Sequence, residues 1–286
     1  MVGDGGRGFD KSPMDVLAPL SFTIFAWWAS TGLILMLVGR PARTFRWTLL
    51  GATVLAALGF AGLRASSAVE SAASAYCAFV CSLLIWAWQE IAFLLGVVTG
   101  PRRSDCPSDA RGWRRAALAF QTVAHHELAL LVLGAGVVAV TWQQPNRTGL
   151  WTFAILWAMR QSAKLNVFLG VRNFSEEFLP AHLTYLQSYF RRARMNVLFP
   201  IVVTASTWLA VVIWQAALDP AGTSARTTAL AFAAALLSLA VLEHWFLVLP
   251  LPSAAMWSWS LRSRAPPAGS AIQADPLDPL PAKTAL

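Results

Sequence analysis

The sequence predicts an all-α protein, a polytopic membrane helix bundle of about seven transmembrane helices with one amphipathic helix on the cytoplasmic surface. Three observations predict it. Of 286 residues, 57% are hydrophobic and 13% are charged, and the mean hydropathy is +0.55, a balance that belongs to membrane proteins. A bilayer core of about 30 Å takes roughly 20 apolar residues per helix, and the chain offers such runs, with polar breaks between them, at 17–39, 47–63, 73–98, 116–142, 149–170, 196–218 and 227–250. The third observation is the placement of charge. Two of the 22 Lys and Arg fall inside a span, fifteen collect in the loops after the first, third and fifth spans and in the C-terminal tail, and five lie on the other side.

Positive residues are retained on the cytoplasmic face. That rule predicts a periplasmic N-terminus, a cytoplasmic C-terminus and an odd number of helices. The net charge of +8 is then explained by topology and by anionic lipid headgroups, and no nucleic-acid partner is expected. Residues 1–16 read as a flexible leader, because GDGGRG follows no strand and opens no helix and so fails the context test for a phosphate-binding loop. The first apolar run is too long for a secretory signal and lacks a small-residue cleavage site, so it reads as a retained helix. The transmembrane domain spans 17–262. Residues 263–286, rich in Pro and Ala and without aromatic side chains, cannot bury enough apolar surface to fold and are expected to be disordered.

The fifth loop stands apart. Between Asn173 and Phe190, Leu179, Leu183, Leu186 and Phe190 recur at helical spacing, with His182, Tyr185 and Tyr189 on another stripe. Pro180 suits a helix start, acids Glu176 and Glu177 precede it, and Arg191, Arg192 and Arg194 follow. This pattern predicts an amphipathic surface helix.

Ionisable side chains in hydrocarbon are costly unless paired and mark functional positions. Within the spans lie Glu90, His125, His126, Glu127, Arg160, Lys164, Glu243 and His244. At about 1.5 Å of rise per residue, Glu90 and His126 come out about 15 Å from the cytoplasmic end of their helices, Lys164 and Glu243 about 12 Å and Arg160 about 18 Å. Four helices thus bring polar groups to one level, and a packed polar site in the cytoplasmic half is expected. Its plainest form is a buried ion-pair network of Glu90, Glu127, Arg160, Lys164 and Glu243. A second form is a metal site. Glu and His on facing helices are the ligand set of di-iron and di-manganese bundles, so Glu90, His126, Glu127, Glu243 and His244, with Glu177 and His182 from the fifth loop, are candidate ligands for iron, manganese or zinc. The adjacent spacing of His126-Glu127 and Glu243-His244 turns neighbouring ligands about 100° apart on a helix, unlike Glu-x-x-His. A third form is an imidazole from His126, His182 or His244 axial to the magnesium of a chlorophyll-type pigment, and a fourth is a proton or substrate path. Cys77, Cys81 and Cys106 have neither zinc nor redox-dithiol spacing. HHELAL has Leu130 where a zinc protease needs its second histidine, which argues against that class.

Seven segments in order carry a family likeness: FAWWASTGLIL (25–35), GRPARTFRWTLLGATVL (39–55), WAWQEIAFLLG (86–96), GPRRSDCP (100–107), HHELAL (125–130), WTFAILWAMRQSAKLNVFLGVRNFSEEFLPAHLTYLQSYF (151–190) and EHWFLVLPLP (243–252). The chain resembles the PuhE family of photosynthetic complex assembly proteins of purple bacteria, over about residues 20–262. The resemblance implies a factor of the bacterial inner membrane, cytoplasmic or photosynthetic intracytoplasmic. Such a factor supports assembly of the reaction centre and its light-harvesting ring, or supplies bacteriochlorophyll to them. Reaction-centre or light-harvesting subunits, other assembly factors and membrane lipids are the partners it implies. No catalytic residues come with it. The rival reading is a membrane metalloenzyme that acts on a pigment precursor or a lipid through the Glu and His cluster.

Overall fold

A computed structural model describes residues 12–174 and 176–261. Most of the expected leader and the whole expected disordered tail lie outside the described residues. The fold is an all-α bundle of seven long helices: α1 (Met14–Val38), α2 (Phe45–Ser67), α3 (Ala72–Leu94), α4 (Gly112–Thr141), α5 (Thr148–Leu169), α6 (Leu198–Leu218) and α7 (Ser224–Phe246), followed by a short α8 (Ser258–Leu261). Six of the seven are long and apolar enough to cross a membrane. The other is α5, which matches them in length but carries Arg160, Gln161, Ser162, Lys164 and Asn166 in its second half.

Local chemistry sets the helix ends. Ser71 and Ser74 form a reciprocal capping box at the start of α3, and Thr223 accepts from the Arg226 amide at the start of α7, each satisfying a donor that the helix leaves open. Asn196 caps α6, its Oδ1 accepting from the amides of Leu198 at 2.9 Å and Phe199 at 3.2 Å. α3 ends at Leu94, earlier than the apolar run suggests, because Gly96 turns the chain away at φ 75°. α7 stops at Phe246, short of the expected 250. The prolines at 250 and 252 follow, and the freed Leu247 carbonyl accepts from the amides of Arg172 and Asn173.

α3 and α7 are the inner helices, with about half of their apolar windows buried, whereas α1, α2, α4 and α6 bury roughly a fifth. α5, the least apolar of the long helices, packs on α2, α3, α4, α6 and α7. Its first turn enters the α2–α3 hairpin closely. A Cβ on Gly149 would lie 2.3 Å from Leu63 Cδ1 and 3.0 Å from the Ala78 carbonyl, and Ser82 Oγ donates to the Gly149 carbonyl at 2.9 Å. Small residues permit this kind of backbone approach between membrane helices. Leu63, Ala78, Ile85, Trp86, Leu130, Val137 and Phe153 close around the contact as the main core. The C-terminal segment folds back on α1, where Trp28 Nε1 donates to the Met256 carbonyl and Trp257 Nε1 to that of Trp28, both at 3.0 Å.

The expected amphipathic α-helix of the fifth loop is replaced by two 3-10 segments, Glu176–Phe178 and Ala181–Tyr189. A 3-10 helix repeats every three residues. Leu183, Leu186 and Tyr189 therefore share the buried face, and the two leucines pack on Phe93 of α3 and Val123 of α4. The segment is a cap over the bundle end rather than a helix lying flat in the interface.

Candidate functional site

α5 supplies the centre. One face carries Arg160, Gln161 and Lys164 toward two acids on different helices. Arg160 Nη2 lies 3.0 Å from Glu90 Oε2 of α3, and Lys164 Nζ lies 2.6 Å from Glu127 Oε1 of α4. Gln161 Nε2 donates to the remaining Glu127 oxygen at 2.6 Å. Both Glu127 oxygens are therefore taken. The glutamate side chains are the better buried partners, at 13% and 18% exposure, so each carboxylate has left solvent and is stabilised by a cation from α5.

The other face of α5 turns to α7 and α6. His244 Nδ1 lies 2.8 Å from the Ala240 carbonyl, which only accepts, so this nitrogen carries the proton; Nε2 then accepts from Ser162 Oγ at 2.9 Å. Asn166 donates to the Ser162 carbonyl. The Asn196 side-chain amide donates to the Asn166 backbone and side-chain oxygens and to the Gly170 carbonyl, at 2.9–3.1 Å. One asparagine thus caps α6 and ties it to the end of α5.

Of the five residues expected in one network, four form two ion pairs, Glu90 with Arg160 and Glu127 with Lys164. Glu243 joins neither pair directly, although it lies close enough to Arg160 and Glu90 to feel their charge. Its side chain lies on the exposed side of α7, where it accepts from the Trp27 indole of α1 at 2.6 Å. The histidines are dispersed as well. His126 is fully buried, its ring tilted against that of Phe93 with the centroids 4.6 Å apart. His182 belongs to the 3-10 cap and donates from Nε2 to the Leu94 carbonyl at 3.0 Å. It is seated in the space that Gly96 leaves, where a Cβ would come within 2.9 Å of its ring. His125 is exposed on the outer side of α4. Glu177 lies at the loop end, where Arg172, Asn173, Phe174, Glu176, Arg192 and Leu251 join it around a cavity of about 160 Å³. In that cavity wall Arg192 pairs with Glu176 and lies over the Phe174 ring.

Among the described residues, no three His, Cys, Asp or Glu side chains converge as a metal site would require. The set Glu90, His126, Glu127, Glu177, His182, Glu243 and His244 is spread over α3, α4, α7 and the cap, and Arg160 and Lys164 occupy the space between the acids. The three candidate axial histidines differ. His126 is enclosed and His244 has both ring nitrogens bonded, whereas His182 donates from Nε2 to the Leu94 carbonyl and keeps Nδ1 as an acceptor. The physical reason for the dispersal is rotational. Matching depth along four helices leaves each side chain's direction free, and adjacent residues such as His126 and Glu127 point about 100° apart.

Several working residues carried no charge signal. Gln161, Ser162, Asn166 and Trp27 complete the contacts described above, and only the position of Gln161 between Arg160 and Lys164 on one helical face hints at its role. The basic loops also serve the protein itself. Arg102 Nε donates to the Tyr189 hydroxyl at 2.5 Å, and Arg115 donates to the carbonyls of Phe168 and Tyr189. These contacts stitch the third and fifth loops together beneath the 3-10 cap.

Fold and site together define a polytopic, all-helical membrane protein whose interior charges are matched within the bundle. Residues 14–268 match the family described as "Protein of unknown function (DUF3623)", and the chain belongs to that family. It is 39% identical over 258 residues, 89% of this chain and 94% of the relative, to a Rhodobacter capsulatus protein named "Uncharacterized 30.4 kDa protein in puhA 5'region". No solved structure matches the chain.

Proposed function

We propose that this protein is a non-catalytic factor of the bacterial inner membrane that supports assembly of the photosynthetic reaction centre and its light-harvesting complex. The observation that carries the reading is the near full-length relative whose name places it beside puhA. The resemblance of the seven sequence segments to photosynthetic assembly proteins supports it. The geometry is consistent with a holding role, because the interior polar groups bind one another across α3, α4 and α5 while α1, α2, α4 and α6 leave most of their apolar surface facing outward. Those faces are available to membrane-embedded subunits, and the loops rich in arginine to anionic lipid. The distribution of positive charge supports a periplasmic N-terminus and a cytoplasmic C-terminus.

Deletion of the gene in a phototrophic host tests the proposal. Membranes of the deletion strain should show reduced near-infrared absorption from reaction-centre and light-harvesting complexes, restored by the wild-type gene. Restoration should be weaker with Glu127→Gln than with a chain truncated after Arg264. Wild-type levels of both complexes in the deletion strain during the shift to phototrophic growth would refute the assembly role.

A further inference from the structure

Nine buried side-chain nitrogen and oxygen atoms among the described residues have no hydrogen-bond partner, and six of them belong to four side chains: Gln89 Nε2 and Oε1, both ring nitrogens of His126, Thr99 Oγ1 and the Tyr185 hydroxyl. Gln89 and Thr99 are 1% exposed and His126 is 0% exposed. Native interiors rarely leave such groups unpaired. Four of them in one place therefore describe a site.

Backbone and ring contacts bring them together. The His126 amide donates to the Thr99 carbonyl at 2.9 Å, and the His126 ring packs on Phe93. Tyr185 joins the same apolar cluster as Phe93, and its hydroxyl lies beside the Thr99 side chain. Gln89 follows from the register. On α3, Trp86, Gln89 and Phe93 share the buried face; Phe93 opposes His126 of α4 and Trp86 packs in the cluster of Leu130, so Gln89 stands between the two levels. Burial pushes the Tyr185 phenol up, and the residue as a whole is half-buried.

The groups also state what they bind. All are neutral, and together they offer both donors and acceptors. The nearest carboxylates, Glu90 and Glu127, already have cations, so no ion is called for. Phe93, Leu130, Leu183 and Leu186 wall the region and are themselves at most 7% exposed. An internal water makes about three hydrogen bonds, so six orphaned atoms correspond to about two waters.

We propose that the seam between α3, α4 and the 3-10 cap is an internal water site, in which ordered waters bridge Gln89, His126, Thr99 and Tyr185. The site forms a polar column from the cap down to Gln89, the neighbour of Glu90, and links the ion pairs to the loop end of the bundle. It is independent of the role in assembly.

Hydroxyl-radical labelling by X-ray pulses tests it, with the purified full-length protein in lipid nanodiscs and oxygen-18 water. Waters held beside a side chain are activated in place, so Phe93 and the fully buried His126 should take up label several-fold faster than the buried Phe79 and Phe232. The double substitution Gln89→Leu with His126→Leu should lower the Phe93 labelling several-fold while the thermal midpoint confirms a folded bundle. Should that variant fail to fold, the wild-type comparison with Phe79 and Phe232 decides alone. Labelling of Phe93 and His126 no faster than that of Phe79 would overturn the proposal. So would a high-resolution map in which Gln89 and His126 bond directly to each other.

Discussion

Lys164 sets the energetic terms at the residue scale, because it is a cation within the membrane bundle that pairs directly with Glu127. Removing one member of a buried pair leaves the other charged and uncompensated, which costs more than the pair contributes. Glu127→Gln is expected to destabilise the bundle by about 2 kcal/mol or more. Glu127→Leu combined with Lys164→Met should recover at least half of that loss, as read by thermal unfolding in detergent. Glu90→Gln likewise strips Arg160 of its acid partner within the bundle and is expected to cost about 2 kcal/mol or more as well. A loss near zero at either position would mean that the pair does not hold its helices together. Charge at matching depth was enough to single out Glu90, Glu127, Arg160 and Lys164 from the sequence. It could not distinguish them from Glu243, because the rotation of α7 that carries Glu243 to Trp27 has no counterpart in spacing along the chain.

Helix ends and loops decide the outcome at the element scale. The apolar periodicity located all seven long helices to within a few residues, since the run of twenty or so apolar side chains is imposed by the bilayer itself. The fifth loop was read wrongly in form, because Leu179, Leu183, Leu186 and Phe190 satisfy an α-helical period, while packing on Phe93 selects the tighter 3-10 repeat that buries Tyr189 instead. Gly96 makes that packing available. Its φ of 75° suits glycine, and a methyl group there would meet His182. Gly96→Ala is expected to cost about 1–2 kcal/mol from the backbone alone. It should expose the chain between residues 176 and 194 to protease in intact membranes, and an unchanged digestion rate would argue against the cap. Asn196→Ala removes a helix cap and the tie to α5 together, and should lower stability by about 1 kcal/mol or more.

At the scale of the whole molecule, α5 carries the polar centre while α3 and α7 form the most buried part of the bundle. Charged and amide side chains in lipid must find partners inside the protein, so the polar second half of α5 is packed against α3, α4 and α7, while α1, α2 and α6 keep most of their apolar surface outward. The same logic fixes the prediction for topology. Single cysteines introduced at 111 and 192 should react with a membrane-impermeant thiol reagent only in inside-out vesicles, and one at 222 only in intact cells, all in a background lacking Cys77, Cys81 and Cys106. The opposite pattern would invert the orientation. By itself the sequence determined that the chain is an all-helical membrane protein, where its spans lie and which charges share a depth, because bilayer thickness and the cost of burying charge act on every residue in register with the chain. Only the tertiary structure decided that each cation meets one acid, that the histidines part company and that the fifth loop becomes a cap. Those outcomes depend on how each helix is turned about its own axis, a quantity fixed by its neighbours.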